Sequence, residues 1–102
     1  MEWIPATLKE VAQIIEADLE ACDDEQMALF EAFAVEPYFA PIHRFGKIEK
    51  VVVVAKKGGE VMYWEDVEEG FNVSPVDAKG VILNHLSDQD ELASALNRWI
   101  EA

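Results

Sequence analysis

A single cysteine, Cys22, stands in the 102 residues, so no disulfide closes within the chain. A lone thiol suits a reducing compartment. Its neighbours Asp23 and Asp24 oppose the thiolate, which argues against reactive sulfur chemistry there. Long apolar runs are missing too. The longest, Val51 to Ala55, falls far short of the about 20 residues that a membrane-spanning helix needs. The amino terminus, Met1-Glu2-Trp3-Ile4-Pro5, carries neither the basic n-region nor the apolar h-region of an export signal, and a cytoplasmic location is expected. The sequon Asn72-Val73-Ser74 has no meaning without export. Basic residues are scarce: eight Lys and Arg stand against 21 Asp and Glu, for a net charge of −13. Such a chain repels phosphate backbones and anionic membrane surfaces, so neither nucleic acid nor membrane is an expected partner. A basic protein is, because opposite charge speeds encounter and favours docking.

Motifs of common chemistries are also absent. There is no G-x-S-x-G elbow, no Walker loop and no dinucleotide-binding glycine fingerprint. Gly58-Gly59 lies between two strand-like segments rather than at a helix start, so it does not cradle phosphate. His43 and His85 are distant in sequence and lack the cysteine pair or H-x-x-x-H spacing of a metal site. Each reads as a loop histidine bonded locally rather than as a general base. No metal and no cofactor is expected.

What is present is a foldable composition. Half of the residues are apolar, too many for disorder despite the charge. A chain of this length buries roughly two-thirds of its unfolded surface and reads as one domain, 1–102. Thr7-Leu8-Lys9-Glu10 is a capping box. Leu8, Val11, Ala12, Ile15, Leu19 and Cys22 then share one helical face. A second start signal, Asp23 with Gln26, predicts a second helix through Ala34. Pro37 and Pro41 end the helical region, leaving a short extended piece at Ile42 to Phe45.

Ile48 to Ala55 reads as a strand, its four valines suiting burial on both faces. The Gly-Gly turn leads to a partner strand, Val61 to Asp66, and Phe71 to Ser74 reads as a third. Val81 to Leu83 reads as a final edge strand. Ser87-Asp88-Gln89-Asp90 opens a last helix whose apolar face holds Leu92, Ala95, Leu96, Trp99 and Ile100. The expected class is α+β. Two N-terminal helices precede an antiparallel three- to four-stranded meander sheet, and a C-terminal helix packs on one face.

Charge is uneven along the chain. Arg44, Lys47, Lys50, Lys56 and Lys57 stand against the single acid Glu49 between 44 and 57, while the remainder holds 20 acids and 3 bases. Lysines spaced this way protect an edge strand; a positive docking strip is the other reading. The densest acidic feature is Tyr63-Trp64-Glu65-Asp66-Val67-Glu68-Glu69-Gly70-Phe71. Its spacing fits no calcium loop. A solvated turn is the plain reading, and aromatic anchors rimmed by acids also form what a basic partner recognises. Asp66, Asp77 and Lys79 line up with the carboxylate–lysine pattern of magnesium-dependent nucleases. Val76 to Gly80, however, reads as a turn where that chemistry needs a firm strand, and the net charge would repel the substrate.

The function the sequence supports first is a small acidic protein-binding module, immunity- or inhibitor-like, that docks a basic protein partner. The partner-binding candidates are Trp64, Glu65, Asp66, Glu68, Glu69 and Phe71. The alternative is a homodimer assembled through the valine strand and its lysine-rich edge. A carboxylate-based metal-dependent enzyme ranks third, and needs a histidine beside Asp66 or Glu68.

Overall fold

The first described helix opens on reciprocal hydrogen bonds. Thr7 Oγ1 accepts from the Glu10 N–H at 3.1 Å, and Glu10 Oε1 accepts from the Thr7 N–H at 3.3 Å. Asp23 and Gln26 repeat the pattern at 2.8 Å in both directions. Each box satisfies N–H groups that a helix start otherwise leaves unbonded. They open α1 (Leu8–Leu19) and α2 (Asp24–Phe33), two helices divided at Asp23. A computed structural model describes residues 7–44, 46–65, 69–83 and 90–100, and for Arg44 the backbone alone.

After α2 come β1 (Ala34–Arg44), β2 (Lys47–Lys57), β3 (Glu60–Glu65), β4 (Gly70–Pro75) and α3 (Leu92–Ile100). The strands form an antiparallel meander in the order β1-β2-β3-β4. The α+β class with helices at both ends and a sheet between them is therefore what the structure holds. The two-residue turn between β2 and β3 uses Gly58 at φ +62°, a conformation that costs glycine nothing.

Three local expectations change. Strand β1 begins at Ala34, directly where α2 stops, although it contains Pro37 and Pro41. Proline is tolerated because β1 is the outermost strand. The Pro41 carbonyl accepts from the Ile82 N–H at 3.0 Å. It therefore faces away from β2, and the missing N–H lies on the side that makes no ladder bond. Val81 to Leu83 is not a strand: Ile82 alone makes two bridges, one parallel to Ile42 and one antiparallel to Val76. It ties the end of β4 back to β1. Finally, α3 starts at Leu92. Ser87, Asp88 and Gln89 lie outside the described residues, and Asp90 is not helical. Its carbonyl instead accepts from the Phe71 N–H at 2.8 Å.

Two cores result, one on each sheet face. On the helix side, Val11, Ile15, Phe30, Leu92, Leu96 and Trp99 pack on Val52, Val54, Met62, Trp64, Phe71 and Val73. On the other side, Ala40, Ile42, Val51, Val53, Val61, Tyr63 and Ile82 cluster. The four valines serve both, as a strand buried on two faces requires. A bulge at Val54 sets Val54 and Ala55 together against Met62, so both join the helix-side core.

Candidate functional site

The β3–β4 hairpin carries the partner-binding candidates, and its register decides where each one goes. Trp64 sits directly opposite Phe71. Their rings meet edge to face, 5.1 Å between centroids and 65° between planes. They are 8% and 0% exposed, within the helix-side core. Glu65 pairs with Gly70 and is 1% exposed. The expectation of a solvent-facing aromatic and acidic patch is thus revised for Trp64, Glu65 and Phe71, which are interior. Glu69 is exposed. Asp66 and Glu68, like His85 and Trp3, lie outside the described residues.

Pleat alternation explains the burial of Glu65. It shares the second sheet face with Tyr63, and across the register with Asn72 and Ser74. All four are buried, forming a polar row beside an apolar cluster. Alternation of Phe71 and Val73 with Asn72 and Ser74 is the pattern of a sheet with one wet face. Both faces are covered instead.

The surface charge sits elsewhere. Between residues 7 and 36 there are nine acids against the single Lys9. Eight of those acids are exposed: Glu10, Glu16, Glu20, Asp23, Asp24, Glu25, Glu31 and Glu36. The ninth, Asp18, serves the fold, its Oδ2 accepting from the Leu92 N–H at 3.3 Å. Gln26 also has a structural use that sequence reading missed. Beyond closing its capping box, its Nε2 donates to Asn97 Oδ1 at 2.9 Å and joins α2 to α3. Its one early signal was the glutamine at the third helical position, which announced the cap and not the cross-link.

The basic strip divides by task. Lys57 Nζ donates to the Trp99 carbonyl at 3.3 Å, at the end of α3, and lies 5.9 Å from the Phe33 ring centroid. Lys56 lies 5.9 Å from the Tyr38 ring centroid. Lys47 and Lys50 are exposed on the outer half of β2. That half is an edge on the β3 side among the described residues, since β3 reaches β2 only as far as Val52.

The remaining reactive groups have structural surroundings. Burial, then the Asp18 and Asp23 carboxylates, push the Cys22 thiol up, and the thiol donates to the Asp18 carbonyl at 3.6 Å. Asp77 Oδ1 accepts from the N–H groups of Lys79 and Val81 at 2.8 and 3.0 Å. The Val81 bond first, then the Lys79 bond, hold its carboxyl below the usual value, helped by the charges of Lys79 and His43. Among the described residues no group of three His, Cys, Asp or Glu is arranged to hold a metal ion. No described helix is long and apolar enough to cross a membrane. Compared with protein-family models, curated proteins and solved structures, the chain matches none.

Proposed function

We propose that this chain is a protein-binding module that docks a basic partner on the acidic outer surface of α1 and α2. The observation that supports the reading is the imbalance of eight acids against one lysine between Thr7 and Ala34, the two helices with their caps, with seven of the acids exposed. A field of one sign raises the encounter rate with an oppositely charged protein. The capped helices hold these charges on a rigid frame, so little ordering is needed on docking. A single exposed ion pair contributes only about 0–1 kcal/mol, so binding draws on many pairs together. Glu69, the exposed member of the β3–β4 turn, is a further contact in this reading. Immunity and inhibitor proteins that neutralise basic targets work on the same physics, which is an analogy of class.

The test is affinity capture from source-cell lysate on the immobilised intact chain beside a Glu16→Lys/Glu20→Lys double variant, both checked for fold by circular dichroism. One basic protein should bind the intact chain at low salt and release above about 0.15 M, where the Debye length is about 8 Å. The variant should not retain it. Equal retention by both forms would sink the reading.

A further inference from the structure

Among the described residues the β1–β2 ribbon runs beyond the rest of the sheet. β1 pairs with β2 out to Arg44 and Lys47, whereas the last described pair of β3 with β2 is Trp64 with Val52. Opposite pairs share a face, so the pairs Phe39–Val52, Pro41–Lys50 and His43–Ile48 lie on the helix side. Near Val52 that face is core. Toward the outer strand and the ribbon tip it is open: Phe39, opposite Val52, is 47% exposed and Ile48, farther out, is 69% exposed. The reverse face of the same ribbon is closed, with Ala40, Ile42 and Val51 at 3%, 0% and 3% exposed and Ile82 in the same cluster. A two-stranded ribbon with one covered face and one open apolar face is half of a contact.

The other half is on α2. Asp24, Met27, Ala28 and Glu31 are spaced three and four apart, so they share one helical face, and all are exposed. That face offers a thioether between two carboxylates. The ribbon offers an isoleucine and a phenylalanine on the same face as Lys50, while Lys47, paired with Arg44, belongs to the reverse face. Apolar centre meets apolar centre, and Lys50 meets the two acids. Met27 adapts to an irregular apolar surface.

We propose that the open ribbon face is a docking surface for a second copy of this chain, with Phe39 and Ile48 seated against Met27 of α2 and Lys50 facing Asp24 and Glu31. Two such contacts related by a two-fold axis close a dimer. The net charge of −13 opposes association at long range. At about 0.15 M salt that repulsion is screened beyond about 8 Å, while contact pairs persist. The contact shares Asp24 and Glu31 of α2 with the acidic surface proposed for the basic partner and leaves Glu16 and Glu20 on α1 free, so Glu16→Lys/Glu20→Lys separates the two readings.

Sedimentation equilibrium at physiological salt, over micromolar to millimolar concentration, tests it. The intact chain should dimerise, and Ile48→Asp should weaken the dimer by about tenfold or more. A charge exchange is sharper. Lys50→Glu and Asp24→Lys/Glu31→Lys should each be monomeric alone, because ribbon and helix then carry the same sign. Mixed in equal amounts, both contacts of the pair become complementary, and a heterodimer should form. Glu16→Lys/Glu20→Lys should dimerise like the intact chain. A monomeric intact chain at millimolar concentration overturns the proposal, as does a dimer that ignores Ile48→Asp or a mixture that stays monomeric.

Discussion

The carboxylate of Asp18, in the last turn of α1, accepts a hydrogen bond from the backbone N–H of Leu92, the first residue of α3. A helix start normally finds its cap in the residue just before it. Here an acid from 74 positions upstream supplies the acceptor and also places a negative charge at the positive end of α3. The helical layer is thereby joined from its first helix to its last, and Gln26 to Asn97 joins the second to the last.

Asp18→Ala should therefore destabilise the fold by about 1 kcal/mol, the usual magnitude of a lost cap. For a chain this size that lowers the melting temperature by about 4–8 °C. Asp18→Asn keeps the acceptor oxygen and loses the charge, so its cost should be smaller. Chemical denaturation of the three proteins checks the order. Equal stability of Asp18→Ala and the intact chain would show the bond to be idle.

The β3–β4 hairpin predicts opposite outcomes for neighbouring residues. Phe71 is fully buried against Trp64, and Phe71→Ala should cost about 3–5 kcal/mol, a large share of the total stability of a small domain. Glu69 is exposed and is the one non-glycine described at positive φ, +53°. Glu69→Gly should stabilise by about 0.5 kcal/mol, since relief of the left-handed cost exceeds the added freedom of the unfolded chain. Denaturation midpoints of both variants read this directly, and loss of stability in Glu69→Gly would refute the second half.

Asp77 gives a dependence on acidity with a definite sign. Its carboxyl titrates below the ordinary 3.8 because the N–H groups of Val81 and Lys79 bond the charged form. A lowered folded value means stability fully present above the unfolded value and lost as pH falls through the folded one. Asp77→Asn should therefore flatten the decline of stability below about pH 4 relative to the intact chain. Melting temperatures taken from pH 7 down to pH 2 measure it. Parallel curves for the two proteins would remove Asp77 from the acid response.

Local signals carried most of the fold. Both capping boxes were legible because Thr7 with Glu10, and Asp23 with Gln26, need only three residues of spacing. The valine run was legible because nothing polar interrupts it. Strand β1 was not, since Pro37 and Pro41 argue against a strand until it is known to be the outermost one. The site was harder. Trp64 and Phe71 look like surface anchors in the sequence because acids surround them, and only the register sets them opposite each other beneath α3. Ile48 lies past Val52, the last β2 residue that the described part of β3 pairs with, a length relation that no local pattern contains.

The bulge at Val54 bears on the length of β2. Residues 51 to 54 are identical, so removing any one of the four valines yields the same three-valine chain. In that chain the residue after Val53 would be Ala55, already opposite Met62, and every later partner through Lys57 and Glu60 would keep its place. A one-codon loss here is thus absorbed without turning a side chain over, whereas the same loss beyond Ala55 would invert the remainder of the strand. Strand pairing needs three valines; the fourth adds a local bend and a buried side chain to the helix-side core, so its loss keeps the register and empties one core position.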